Sequence, residues 1–321
     1  MRPKSRLVTS LLAWAALAAW PGTTPAFAES IAAKAKGEIS MTTAATLKVP
    51  GATLYYETWG SGPLLLVIPG GPQDAGVFSD LARHLADRYT VVPYDPRGNS
   101  RSAFDGEPTE LSLDQQADDA AALIRHLGSP AYVFGTSGGA QIGLNLVTRH
   151  PNLVQTLVAH EPPTMMLLAD PAADIAETNN LYEIYQTQGV DAAMGAFFGG
   201  NALDGPEGGA PEGEAPPEFD LPPEAAETMG RVMGNFDYWL AHGMRPLSFY
   251  KPDVAVLKSG KSKVVVGISV ESEGQPIARM SGALAAALGV TPVHFPGDHV
   301  TGFDEPNVEE FAATLDRSLQ D

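Results

Sequence analysis

The sequence predicts an α/β protein with a mainly parallel central sheet, helices on both faces and one helical insertion. Three observations predict it. Between Ala52 and His160, short apolar runs suited to buried strands alternate with stretches whose apolar residues recur at helical spacing. From about Pro163 to Pro252 that alternation stops and only helix-like pieces occur. It then resumes with "KVVVGIS" and continues nearly to the last residue. Strands joined by helical crossovers run parallel, and the crossovers cover both faces of the sheet.

The elements follow in order. "TLYYETWG" reads as a strand, Gly60 to Gly62 as a turn, and "PLLLVIPGG" as a strand buried on both faces. "AGVFSDLARHLADR" has helical spacing through Phe78, Leu81 and Leu85. "YTVVPYD" is a strand, and the loop "PRGNSRS" follows it. "LDQQADDAAALIRHLG" is a helix stopped at Gly128, and "AYVFG" is the next strand. "AQIGLNLVTRH" is a helix stopped by Pro151, and "VQTLVAH" is a strand closed by Pro162 and Pro163. The insertion holds "NNLYEIYQTQ", "DAAMGAFF" and "AAETMGRVMGNFDYWLAHGM". Between them lies Asn201 to Glu224, a Gly- and Pro-rich stretch with seven acids and no Lys or Arg. After "KVVVGIS" come a helix "IARMSGALAAALG", a strand "TPVHFPG" and a last helix "NVEEFAATLDRSL".

The first 28 residues read separately. Arg2, Lys4 and Arg6 precede fourteen uncharged residues, Leu7 to Trp20, and then an Ala26-Phe27-Ala28 cleavage pattern. That is a secretory signal peptide, with an apolar run shorter than the roughly 20 residues a spanning helix needs. Residues 29–45 are an Ala- and Lys-rich lead-in with little pattern. The expected organisation is therefore a signal peptide over 1–28, a core over 29–163 and 252–321, and a helical cap over 164–251. A flexible acidic loop is expected at about 201–224 of that cap. The mature chain is expected to be exported, periplasmic or extracellular, with no membrane anchor after cleavage.

Charge and cysteine content narrow the function. Losing three cations with the leader takes the formal net charge from −18 to −21. Such an acidic chain is repelled by nucleic acid and by anionic membranes. The absence of cysteine excludes disulfides, thiolate catalysis and Cys-type zinc sites.

Gly135-Thr136-Ser137-Gly138-Gly139 matches G-x-S-x-G between a strand and a helix, the context that gives the motif its meaning. A serine on that turn projects its oxygen above the sheet, and the helix behind it aims free N–H groups at an anion forming there. No Lys follows as a phosphate-binding loop requires. Ser137 is thus a candidate nucleophile, and an acyl-transfer serine needs a base. Of seven histidines, His84, His126 and His150 lie at helix ends, and His294 and His242 read as packing residues. His299 stands apart in "FPGDHVTGF", after the last strand.

From about Ala52 to Leu319 the chain resembles the α/β-hydrolase superfamily, insertion included. The matching pieces are "IPGGPQ", "YDPRGNSRS" (94–102), the elbow "GTSGG" and the closing "GDH". The first two are similar to loops of the proline-iminopeptidase and esterase branches. The resemblance implies Ser137 as nucleophile and His299 as base, with backbone N–H groups of Gly71 and Gly138 holding the oxyanion. Such preorganised donors are worth about 3–4 kcal/mol each by deletion. Two positions depart from the pattern: Pro69 stands where a His is usual, and Gln73 is fourth in the glycine loop.

A carboxylate should orient the imidazole. Two places offer one. The loop after "KVVVGIS" holds Glu271 and Glu273, and the end of the strand following the nucleophile helix holds Glu161 in "AHEPPT". The latter is similar to a "HE-x-P-T" context in zearalenone-type lactonases. Glu161 is preferred over Glu271, because it sits at a strand end stiffened by two prolines. Asp298 adjoins His299 and points away from it. Asp95 and Arg97 read as a charged pair tying their loop to neighbouring backbone. Met165, Met166, Met194, Phe197, Phe198, Met229, Met233, Phe236, Tyr238 and Trp239 read as cap packing that also walls a substrate.

The function expected is an exported serine hydrolase acting on a small-molecule carboxylic ester or lactone, through Ser137, His299 and Glu161, with no metal or organic cofactor. A prolyl aminopeptidase is the alternative enzyme, and it would need cap carboxylates to hold an ammonium group. A ligand-binding protein of the same fold without turnover is the alternative outside enzymes.

Overall fold

A computed structural model describes residues 43–200, 222–300 and 302–320. The expected leader over 1–28 and most of the expected acidic loop over 201–224 lie outside the described residues. Two antiparallel strands, β1 (Thr43–Val49) and β2 (Ala52–Thr58), open the described chain. They are followed by β3 (Leu64–Ile68), α1 (Ser79–Leu85), β4 (Thr90–Pro93) and the two-residue β5 (Ala103–Phe104). Then come α2 (Leu113–Leu127), β6 (Ala131–Thr136), α3 (Gly138–Arg149) and β7 (Val154–His160). Of the unpatterned lead-in, residues 43–45 belong to β1 and the rest lies outside the described residues.

Six parallel strands form the main sheet in the order β4-β3-β6-β7, then β8 (Lys263–Ser269) and β9 (Val293–Phe295). The smaller sheet, β1-β2-β5, leans on its edge through bridges from Tyr56 to Tyr94 and from Trp59 to Val91. Alternation along β3 explains how the sheet is covered. Leu64, Leu66 and Ile68 join one buried cluster with Ala120, Ile124 and Leu144 of α2 and α3. Leu65 and Val67 point to the opposite cluster, with Leu81 of α1 and Phe311 and Leu315 of α10 (Val308–Gln320). A strand buried on both faces has no polar side to show, which is why its sequence is uniformly apolar.

The insertion leaves the sheet after β7 and returns to it at β8. It comprises α4 (Ala172–Gln188), α5 (Val190–Gly200), α6 (Pro223–Tyr238), α7 (Met244–Ser248) and α8 (Val254–Ser259). A π-helical turn over Trp239–Gly243 joins α6 to α7. Helix α9 (Pro276–Leu288) lies between β8 and β9. Among the described residues, no helix is long and apolar enough to cross a membrane.

Candidate active site

Strand register brings the site together. Thr136 of β6 pairs with His160 of β7, and His160 pairs with Gly267 of β8. The next residues, Ser137 and Glu161, therefore leave adjacent strands at the same level. Their backbones stay linked there: the Ser137 N–H donates to the His160 carbonyl at 2.9 Å, and the Glu161 N–H donates to the Gly267 carbonyl at 3.0 Å. Ser137 has φ 52° and ψ −124°, and Glu161 has φ 47°. Left-handed backbone at a residue with a Cβ is strained and must be held by its surroundings. Around Ser137 the surroundings are glycine. A methyl at Gly135 would stand 2.5 Å from the Gly139 carbonyl oxygen, so the turn closes only without it.

Glu161 is fully buried, and both of its oxygens are used. Oε2 lies 2.8 Å from Nδ1 of His299, and Oε1 accepts the Ser269 N–H at 3.0 Å. Burial pushes the carboxyl up, but the hydrogen bond and charge of His299, with help from the Ser269 N–H, outweigh it and hold it at about 2. An ionised Glu161 accepts a hydrogen bond from Nδ1–H, which keeps the ring proton on Nδ1 and leaves the lone pair of neutral His299 on Nε2, the arrangement a general base needs. Glu271 is exposed on a short 3-10 turn, and its N–H donates to the Gly297 carbonyl at 3.0 Å. It steadies the His299 loop by its backbone and not by its carboxylate. Asp298 accepts the Val300 N–H at 2.8 Å.

The glycine loop lies against the elbow. A methyl at Gly138 would stand 3.2 Å from the Gly71 nitrogen, and one at Gly70 would stand 2.7 Å from the Ser137 Cβ. The Gly71 backbone, whose N–H is expected to help hold an oxyanion, thus lies close to Gly138 at the elbow. Three side chains fix this loop. Asn99 donates through Nδ2 to the carbonyls of Gly71 at 3.0 Å and Gln73 at 2.9 Å. Gln73 accepts the Gly70 N–H on its side chain at 3.0 Å, which gives the departure at the fourth loop position a structural task. Asn235 of α6 donates to the Pro72 carbonyl at 2.8 Å.

Asn235 also bonds Ser100, donating to its Oγ at 2.8 Å and accepting its N–H at 2.7 Å. Arg231, one turn earlier on α6, donates to the buried Asp74 at 2.6 Å. The cap is therefore bolted onto the glycine loop and the 96–102 loop. Trp239 forms the wall nearest Gly71, where its Nε1 would stand 3.3 Å from an added methyl. Phe197 and Phe236 brace it at ring distances of 5.1 and 5.7 Å. A small pocket beside Gly71 is also lined by Ile142, Leu247, Asn99, Gln116, Arg97 and Tyr238. Met165, Phe236 and Trp239 are buried as expected of cap packing, whereas Met233 is 39% exposed.

Other expectations need correction. Asp95 and Arg97 do tie their loop to neighbouring backbone as expected, but not as a pair with each other. Asp95 accepts from Arg101 and from the Ala75 N–H, while Arg97 forms a two-pronged pair with Asp119 and donates to the Pro50 carbonyl. His294 is exposed, because β9 is an edge strand with a solvent face. Sequence reasoning missed Asn99 and Asn235. The first stands in a loop already singled out, but nothing local to the second marks it.

Comparison with known proteins agrees with this fold. Residues 63–186 match the family model for the alpha/beta hydrolase fold. Over 283 residues the chain is 34% identical to an uncharacterized hydrolase, YraK, of Bacillus subtilis (strain 168), covering 86% of this chain and 95% of that protein. The chain belongs to the α/β-hydrolase family. The hydrolase is also 32% identical over 132 residues to zearalenone hydrolase of Bionectria ochroleuca, covering 40% of this chain and 50% of that one. In fold it resembles the enol-lactonase of Burkholderia xenovorans LB400, with a TM-score of 0.62 at 15% identity over 86% of this chain and all (100%) of that one.

Proposed function

We propose that this hydrolase cleaves a carboxylic ester or lactone through an acyl-enzyme on Ser137. The observation that carries the reading is the Glu161–His299 hydrogen bond, formed at the strand end beside the one that launches Ser137. His299 Nε2 takes the hydroxyl proton as Ser137 Oγ attacks the carbonyl carbon. The N–H groups of Gly71 and Gly138 hold the tetrahedral oxygen. Collapse breaks the ester C–O bond, and the leaving alkoxide takes the proton from Nε2. Water then repeats the sequence and releases the acid. Ester or lactone is favoured over prolyl amide by the pocket beside Gly71. Among the described residues it is lined by Trp239, Ile142, Leu247 and Arg97, and by no carboxylate that would hold an ammonium group. The same reading takes residues 1–28 as a secretory leader, with the chemistry carried out beyond the cytoplasm.

The test is labelling by a fluorophosphonate probe together with a panel of p-nitrophenyl esters, lactones and prolyl amides. Stoichiometric labelling and ester or lactone turnover, both lost in Ser137→Ala, support the reading. Turnover of prolyl amides alone replaces the substrate class, and turnover that survives Ser137→Ala overturns the mechanism.

A further inference from the structure

A buried histidine that the proposed chemistry does not use immediately precedes Glu161 in the chain. His160 has no exposure and is walled by Phe134, Phe295, Phe303 and Phe311 at ring distances of 5.3–6.0 Å. Both ring nitrogens nevertheless have partners. Nδ1 is 3.0 Å from Thr136 Oγ1, and Nε2 is 2.9 Å from Ser269 Oγ. Ser269 in turn donates to the Asp298 carbonyl at 3.0 Å and gives its N–H to Glu161 Oε1.

The positions of these groups are what matter. Thr136 immediately precedes Ser137, His160 precedes Glu161, and Asp298 precedes His299. We infer that Thr136, His160, Ser269 and the Asp298 carbonyl form a buried hydrogen-bonded relay, with His160 as the central positioning residue, that fixes nucleophile, acid and base relative to one another. This inference rests on the function proposed above.

Hydrogen-bond bookkeeping gives the relay one polarity. A carbonyl only accepts, so the Ser269 hydroxyl spends its single hydrogen on Asp298 and must accept from Nε2–H. A neutral ring then has its lone pair on Nδ1, which accepts from the Thr136 hydroxyl. The ring is neutral because burial lowers its pKa to about 4, against the opposing pull of Glu161 and with His299 adding to the lowering. Every donor and acceptor in the relay is satisfied in this arrangement and in no other with a neutral ring. A polar chain crossing three strands inside an aromatic cage is costly unless complete, and when complete it specifies one geometry.

The test uses near-isosteric variants in the full chain. Thr136→Val and Ser269→Ala each delete one link, and Thr136→Ser keeps the hydroxyl. A displacement of about 1 Å costs on the order of 100-fold in rate, so a partial loss of register is expected to lower kcat about tenfold with KM nearly unchanged. Thr136→Ser should restore kcat, and the double variant should lose less than the product of the two single losses, because both break one chain. Independently, 15N NMR of His160 at pH 7 should show a neutral ring protonated on Nε2. Unchanged kcat in both single variants, or a His160 ring protonated on Nδ1 at pH 7, overturns the relay. Failure of the unaltered chain to react with the fluorophosphonate probe removes the function proposed above, and the relay's catalytic role with it. The tautomer is read without turnover and separates that failure from one of the relay alone.

Discussion

Glu161 Oε2 and His299 Nδ1 meet at 2.8 Å although 138 positions separate the two residues in the chain. The acid arrives from the end of β7 and the imidazole from the loop after β9, so the contact depends on strand order and not on local sequence. Glu161→Gln would keep the shape of the acid but lose its charge and its hold on the tautomer. The expected outcome is a fall in kcat of about 10³- to 10⁴-fold on a p-nitrophenyl ester. Glu271→Gln should stay within about twofold of the unaltered enzyme, since its carboxylate is exposed. The reverse pattern would reassign the acid.

Asn99 and Asn235 hold the carbonyls of the glycine loop from opposite sides, one from the core and one from the cap. Asn99→Ala should let the Gly71 peptide drift. Losing one oxyanion donor outright costs about 10²- to 10³-fold, so a drift is expected to cost about tenfold in kcat. Asn235→Asp retains the acceptor for the Ser100 N–H but not the donor to Pro72, and should show a smaller loss of the same kind. Steady-state kinetics separates this from a binding defect, which would appear in KM.

Titration of His160 should weaken the fold in mild acid. Its folded pKa of about 4 lies below the ordinary 6.5, so between those values the unfolded chain binds the extra proton. Stability is therefore full above about pH 6.5 and declines as pH falls to about 4, by on the order of 3 kcal/mol. Glu161, held at about 2, adds a loss of the same sign below its ordinary 4.5. Urea unfolding at pH 7, 5.5 and 4.5 measures the slope, and the difference curve against His160→Gln isolates the histidine. Equal slopes in the two proteins would contradict the assignment.

Asp304 carries the opposite sign. Burial, with Asp80 and Glu305 nearby, raises its carboxyl to about 8, so its stabilising proton is retained in mild acid and lost as pH rises through that value. Asp304→Asn should raise Tm relative to the unaltered chain at pH 8.5, with little difference at pH 5. A lower Tm for the variant at pH 8.5 would exclude this.

Arg97 and Asp119 form a buried two-pronged pair at 2.8 and 2.7 Å. Burial raises the Asp119 carboxyl, and the Arg97 hydrogen bonds oppose that. Arg97→Met would strand the acid and should cost about 3–5 kcal/mol in urea unfolding. Arg97→Met with Asp119→Leu should recover much of that loss, because the stranded charge goes with its partner.

Much of this was legible in the sequence, for identifiable reasons. β3 was plain because burial on both faces leaves Leu64 to Ile68 uniformly apolar. The elbow at Ser137 was plain because its strained backbone demands glycines that a ladder of strand and helix does not otherwise need. β1 was not: Thr43 to Val49 is largely exposed and shows only a faint alternation. β5 is two residues long and has no periodicity to detect. That Asp95 meets Arg101 and Arg97 meets Asp119 is not legible, because proximity in sequence says nothing about which cation faces which acid. Asn235 was invisible, since its worth comes from the Pro72 carbonyl, 163 positions away.

The bolts from α6 into the core have a consequence for how such proteins diversify. Because Arg231 and Asn235 engage Asp74, Pro72 and Ser100, exchanging this insertion for one taken from a differently selective homologue would transplant more than a specificity lid. A chimera that omits compatible residues at those two sites inherits a misaligned reaction centre along with its new walls. Recombination here is confined to boundaries that carry both anchors across together.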